Sequence, residues 1–332
     1  MRTHAHSQDV KQAAASLGFD RCGIALAGPS PRADYFSDWL ASGRAGSMAY
    51  MHRHGESRRD VRAWLPWARS VIVVALNYSQ PEPVARHPTT ASPTDRPASR
   101  HRGRIAMYAW GEDYHLVVRE KLDALVARMH TLFDEPFEAK VCVDTSAIIE
   151  RELAAAAGIG WIGKNTLVLH PALGSLFFLG EIVTDLSLAP DEPVPDRCGT
   201  CTACLEACPT RALVEPYRMD ASRCIAYLTI EHRGDIPPGT ADGTGDWIFG
   251  CDVCQTVCPH NRDAPPATEP RFLCNDVDAA RPPLDAILSW DADACRRFTD
   301  GKASRRAKLE MWQRNARIAQ RNARPGCSSF GG

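Results

Sequence analysis

Cys198-Gly-Thr-Cys-Thr-Ala-Cys-Leu-Glu-Ala-Cys-Pro209 is the stretch from which the rest of the chain is read. Three cysteines two residues apart, a fourth after three more residues and then proline form the bacterial ferredoxin run. In that run three thiolates wrap one cubane and the fourth reaches another. A second set, Cys251-Asp-Val-Cys-Gln-Thr-Val-Cys-Pro259, repeats the end of the run but lacks one cysteine, and Cys224 is the obvious supplier. Eight thiolates suffice for two [4Fe-4S] clusters. The cross-over logic gives Cys198, Cys201, Cys204 and Cys258 to one cluster and Cys208, Cys224, Cys251 and Cys254 to the other. Prolines after Cys208 and Cys258 turn the chain away with fixed φ. Paired Cys-x-x-Cys sets also suit four-thiolate zinc sites, but zinc needs neither the third cysteine nor the trailing Cys-Pro.

The chain has 332 residues, about two domains' worth, and the cysteine module occupies some sixty of them. The other five of its 13 cysteines, Cys22, Cys142, Cys274, Cys295 and Cys327, lack metal-ligand spacing and read as ordinary thiols. Hydrophobic residues make up 44% and charged residues 24%, which excludes a disordered or fibrous chain. No apolar run approaches the roughly 18 residues that span a bilayer. Met1 to Asp20 shows neither a twin arginine nor an apolar signal core, so a cytoplasmic protein without a membrane partner is expected. Lys plus Arg (39) nearly cancels Asp plus Glu (40), yet the stretch Arg296 to Arg324 holds ten basic residues against Asp300 and Glu310. Such a run is either a solvated helix face or a surface for a polyanion.

Ahead of the cysteines, helices and strands alternate, as in an α/β or α+β domain. Gln8 to Leu17 suits a helix ended by Gly18, and Gly23 to Ala27 a strand. Val71 to Leu76 is short, β-branched and bounded by loop residues, as a buried strand is. The proline-rich stretch Gln80 to Arg104 reads as a mobile loop. Asp113 to Leu132 has helical periodicity, and Phe137 to Val143 reads as a strand ending at Asp144-Thr-Ser146. That polar group is placed to cap a helix from Ile148 to Ala157. The glycine-rich turn Gly158-Ile-Gly-Trp-Ile-Gly163 follows a helix rather than a strand, which rejects a dinucleotide fingerprint.

Taken in order, several segments resemble the epoxyqueuosine reductases, cobalamin-dependent iron-sulfur enzymes of tRNA queuosine synthesis. They are Arg69 to Asn77, Tyr108-Ala-Trp-Gly-Glu-Asp-Tyr-His115, Val143-Asp-Thr-Ser146 with Glu150-Arg151, and Gly158 to Asn165. Gly180-Glu-Ile-Val-Thr-Asp185, both cysteine sets and Arg314-Asn-Ala316 continue the likeness. The resemblance implies an α+β fold. Its parts are an N-terminal α/β cobalamin-binding catalytic domain (1–190), a ferredoxin-like two-cluster module (191–265) and a short basic helical C-terminal region (266–332) that contacts tRNA.

The activity it implies is two-electron removal of the epoxide oxygen of epoxyqueuosine in a tRNA anticodon stem-loop, fed by a reduced donor protein or other reductant. The expelled oxygen needs a proton, and the family's donor position falls on Asp144, where burial would raise its pKa. Arg58, Tyr108, Trp110, Lys164 and Asn165 become candidate cofactor contacts, with Tyr114 and His115 beside them. Arg305, Arg306, Arg314, Arg317 and Arg321 become candidate phosphate contacts. Two other classes compete: a corrinoid reductive dehalogenase, and a ferredoxin-type electron carrier.

Overall fold

The computed structural model describes residues 2–83 and 101–323. Its centre is a four-stranded antiparallel sheet of β1 (Arg21–Leu26), β2 (Ser70–Asn77), β3 (Ala139–Cys142) and β4 (Phe177–Thr184), in the order β1-β2-β4-β3. All eight residues of β2 are buried. Such a strand must be covered on both faces, which is why it reads as a near-continuous apolar run.

Side chains alternate between the two covers. Ile72, Val74, Leu76 and Ile182 face the helices Arg2–Ser16 and Tyr114–Leu132. Val71, Val73, Ala75 and Val183 face the short helix Glu150–Ala156. Helix Tyr114–Leu132 buries Val117, Val118, Leu122, Leu125 and Met129 along one stripe, and the Asp113 side chain caps it by accepting the His115 N–H at 3.0 Å. Gly180 lets that helix approach β4, since a Cβ there would lie 2.7 Å from Val118 Cγ1.

The cysteine loops carry two short helices, Ala203–Glu206 and Val253–Thr256. Helix Leu309–Asn322 braces this module. Its Trp312 is fully buried and stacks on Phe249 at 5.4 Å. Asn315 beside it donates to the carbonyls of Thr229 (3.0 Å) and Ile248 (2.8 Å). The module also interlocks with the sheet domain: Arg104–Ile105 pairs in parallel with Trp247–Phe249, and the buried Gln80 bonds the Phe272 carbonyl and the Cys274 N–H, each at 2.7 Å.

Two expectations need correction, and a third falls mostly outside the described residues. The Asp144-Thr-Ser146 group caps nothing: the helix starts at Glu150, its N-cap is Ile149, and no side chain caps it. Instead Glu150 reaches back to accept the Asp144 N–H. Of the proline-rich stretch, residues 84–100 lie outside the described residues, while its flanks at Gln80 and Arg104 are ordered.

The basic run, whose last residue Arg324 is outside the described residues along with Cys327, is not one face. It divides among helix Ala292–Thr299, a 3-10 turn Ala303–Arg306 and helix Leu309–Asn322. Arg306 pairs with both oxygens of Glu231 at 2.9 Å, and Arg321 with Asp242 at 2.7 Å. Arg314 spends its guanidinium on the carbonyls of Leu228, His232 and Gly234, which removes it from the phosphate contacts. Arg305 and Arg317 stay exposed without an ion pair among the described residues.

Candidate active site and cluster ligands

Asp144 follows β3 in a left-handed conformation (φ 53°), a strained choice for a residue with a Cβ, held by the hydrogen bond from its N–H to Glu150 Oε1. Its side chain is half exposed, and Oδ2 lies 3.3 Å from His115 Nε2. On the other side of the ring, His115 Nδ1 lies 2.7 Å from Asp113 Oδ1. Burial pulls the His115 pKa down, but the hydrogen bonds to Asp113 and Asp144 outweigh it and carry it up to about 9. The imidazole is therefore cationic at neutral pH and donates to both carboxylates. Helix Tyr114–Leu132 fixes this ring at its first turn, where Tyr114 also stacks on Phe178 at 4.3 Å.

Other charged and phenolic groups converge on Asp144 from separate elements. Tyr108 and Tyr114 feel its charge, although burial is the larger reason that both phenols are held protonated. Tyr50, Arg58 and Arg306 lie within its electrostatic reach as well. Arg58 donates to the Ile148 carbonyl at 3.4 Å, while its Nε is buried without a partner. A buried orphan donor near half-buried phenols and a carboxylate suits a large polar-edged cofactor that completes the site.

The other candidate contacts sit elsewhere. Trp110 is buried in the core with Phe249 and Trp312, and its Nε1–H donates to the Ile105 carbonyl at 2.7 Å. Lys164 donates to the carbonyls of Gly199 (2.6 Å) and Cys201 (2.9 Å), and Asn165 reaches the Cys254 carbonyl at 3.5 Å. The glycine-rich turn thus ties down both cysteine loops.

The thiols fall into two groups. Cys198, Cys201, Cys204 and Cys258 line one hollow with Leu169, Arg197 and His260. Cys208, Cys224, Cys251 and Cys254 are mutual electrostatic neighbours. Among the described residues no three His, Cys, Asp or Glu side chains converge as they would on a single ion. All-thiol sets of four in the ferredoxin spacing suit cubane-sized groups better than tetrahedral zinc. Cys201 is exposed, whereas Cys254 is near enough to Tyr78 to perturb its phenol, and Tyr78 neighbours Tyr108. The first group thus has a thiol open to solvent, and the second lies on the side of Tyr78.

Four residues of this corner were not singled out from sequence: Asp113 and Glu181, which lie in the quoted segments, and Tyr50 and Glu231, which do not. The signals available were the Asp113-x-His115 spacing and a lone glutamate within the apolar strand β4.

Comparison with known proteins gives a consistent picture. Residues 58–145 match the family model described as epoxyqueuosine reductase QueG, DUF1730, and residues 197–261 match the 4Fe-4S double cluster binding domain. An epoxyqueuosine reductase of Xanthomonas campestris pv. campestris is 40% identical over 96% of this chain and 86% of its own. A crystal structure of epoxyqueuosine reductase with an epoxyqueuosine-modified tRNA-Tyr stem loop superposes with a TM-score of 0.84 at 31% identity, covering 95% of this chain and 80% of that one. The Bacillus subtilis enzyme, with its catalytic loop swung out of the active site, superposes with a TM-score of 0.83 at 31% identity, covering 95% of this chain and 81% of that one.

Proposed function

This chain belongs to the epoxyqueuosine reductase family, and from that premise we propose that it deoxygenates epoxyqueuosine at the tRNA wobble position to give queuosine. It is an oxidoreductase whose cofactors are two [4Fe-4S] clusters and cobalamin. The observation that supports the reading is a proton source, the Asp113-His115-Asp144 relay, in a chain that also gathers eight thiols into two groups of four.

The balance of the reaction defines what the residues must do. Epoxide plus two electrons and two protons gives an alkene and water. When bound beside these residues, cobalamin would supply the two-electron reducing chemistry, and clusters held by the eight cysteines would supply its electrons. The Asp144–His115 pair passes a proton to the oxygen as the carbon–oxygen bond breaks, because an alkoxide is a poor leaving group. His115, cationic at neutral pH, is the source of that proton, Asp144 relays it, and His115 recharged from solvent provides the second. Asp113 holds the ring in register. Arg58, Tyr108 and Tyr114 would border the cofactor and keep water from it. Lys164 and Asn165 act on the cluster loops rather than on the corrin, and Trp110 acts through packing.

The eight cysteines hold the clusters in the two sets given above, the one with a solvent-open thiol accepting electrons from a reduced donor protein or small reductant. The three divisions 1–190, 191–265 and 266–332 serve catalysis, electron relay and tRNA contact. Phosphates of the anticodon stem-loop meet Arg305 and Arg317, which have no ion pairs within the described chain. No helix among the described residues is long and apolar enough to cross a membrane.

The test is an anaerobic single-turnover reaction of prereduced holoenzyme with an epoxyqueuosine-bearing stem-loop. Queuosine is expected in stoichiometric yield, and its absence with full cluster and cobalamin loading overturns the reading.

A further inference from the structure

Glu181 occupies a position where a carboxyl group does not belong. It lies in β4, the third strand of the sheet, opposite Val73 of β2 and Cys142 of β3, and it is completely buried. No lysine, arginine or backbone N–H bonds to it: both its oxygens lack a hydrogen-bond donor. An ionised carboxylate in that setting is strongly unfavourable, and the cheap solution is to keep the proton. Its neighbour across the sheet face is another carboxyl, Glu150, the first residue of the helix that covers this face. Two carboxylates side by side repel, whereas an acid and a carboxylate share a hydrogen bond. The outer oxygen of Glu150 is already committed, because Oε1 accepts the N–H of Asp144.

Resting on the functional reading above, we propose that Glu150 and Glu181 hold one proton between them as positioning residues. Glu181 donates it and Glu150 accepts it, and the charge so retained on Glu150 latches the backbone N–H of Asp144. That latch keeps Asp144 in its left-handed conformation with the carboxyl aimed at His115. Neither glutamate touches the substrate.

The surroundings agree. Burial first, and then the Glu150 charge, raises the Glu181 pKa well above the ordinary carboxyl range. Burial and the Asp144 charge carry Glu150 up to about 7. The remaining groups facing the pair are Cys142 on β3, Arg151 on its own helix, Arg58 on the turn Gly55–Arg59 and Tyr114 on the long helix. Only the two arginines are cationic. Arg151 spends hydrogen bonds on Thr166 and Arg58 donates to Ile148, so neither neutralises Glu181.

Glu181→Gln and Glu181→Leu in holoenzyme separate positioning from packing. The amide introduced by Glu181→Gln can still donate to Glu150, and the leucine of the second variant cannot. The first readout needs no turnover: the wild-type minus Glu181→Gln infrared difference spectrum at pH 8 should contain the carbonyl stretch of a protonated carboxylic acid. Its absence means that both groups are ionised and overturns the proposal.

The second readout is single-turnover rate with cobalamin and cluster content measured in parallel. Glu181→Gln should stay within about threefold of wild type. Glu181→Leu should lose about 10²-fold in rate without a change in tRNA affinity, the size expected when a reacting group is misplaced by about 1 Å. Equal rates for the two variants overturn the latch, and if Glu181→Leu fails to fold, the infrared arm still decides. If wild type itself leaves epoxyqueuosine untouched, the functional reading falls, while the spectrum still tests the shared proton.

Discussion

The cysteine module and the Asp144 corner are built in opposite ways. The module draws its ligands from three short stretches, and the spacing within each stretch sets the geometry. The corner draws Tyr50, Arg58, Tyr108, Asp113, His115, Asp144, Glu150 and Glu181 from separate turns, helices and strands that the sheet must first align. A metal-cluster site can be written as a local motif because the cluster itself supplies the fold's missing bonds. A proton relay has no such glue and has to be held by tertiary structure.

The largest effect that can test this contrast is a ligand removal. Cys254→Ser should remove the second cluster, leaving about half of the iron and sulfide and no turnover, since the electron route to the pocket is cut. Cys201→Ser should leave turnover with chemically prereduced enzyme partly intact while abolishing reduction by a donor protein. If both variants lose both clusters, the module is one cooperative unit and the two sets cannot be separated.

Next comes Asp144→Asn. It keeps the size and the backbone N–H to Glu150, so cobalamin and clusters should stay bound while the single-turnover rate falls about 10²–10⁴-fold. Near-normal rates would take the acid role away from Asp144 and make the corner a binding surface only.

His115→Gln should cost less, about tenfold to a hundredfold, because an uncharged amide can hold Asp144 but cannot resupply a proton. Its pH dependence is the sharper reading. The His115 pKa is raised on folding from 6.5 to about 9, so its contribution to stability is full below pH 6.5 and is lost as pH rises through about 9. Thermal unfolding of wild type should show that alkaline decline, and the variant should not.

The smallest effects concern the arginines. Arg314→Ala should lower stability by about 3 kcal/mol, since three carbonyls lose a charged donor, and leave the salt slope of tRNA binding unchanged. Arg305→Ala with Arg317→Ala should do the reverse, reducing that slope by about one per arginine at unchanged melting temperature. An unaltered slope would return both arginines to the solvated helix surface.

What the sequence made legible follows the same division. Buried strand β2 was readable because its enclosed centre, Val71 to Leu76, is an uninterrupted apolar run of six, and the long helix because its buried stripe recurs every three to four residues. The two groups into which the eight thiols gather could be drawn from the sequence because their spacing carries the pattern. The capping role expected of Asp144 is missing for a local reason: the helix begins only at Glu150, beyond reach of the group, and the Asp144 carboxylate turns to His115 instead. Glu181 gave no periodic signal, being one acidic residue in an apolar strand, and only its neighbour across the fold explains it. The basic run misled because charge density along a chain says nothing of partners such as Glu231 and Asp242, which arrive from elsewhere.

Helix Leu309–Asn322, with Trp312 on Phe249 and Asn315 on two module carbonyls, also orders events in the cell. Every cluster cysteine precedes it in the chain, Cys258 by about fifty residues. During synthesis the ribosome therefore releases all eight thiols before the brace that closes their module has been made. For that interval the cysteines are open to the iron-sulfur assembly machinery, and equally to oxidation, so a slowly translated or stalled chain is the one most exposed to losing its metal sites.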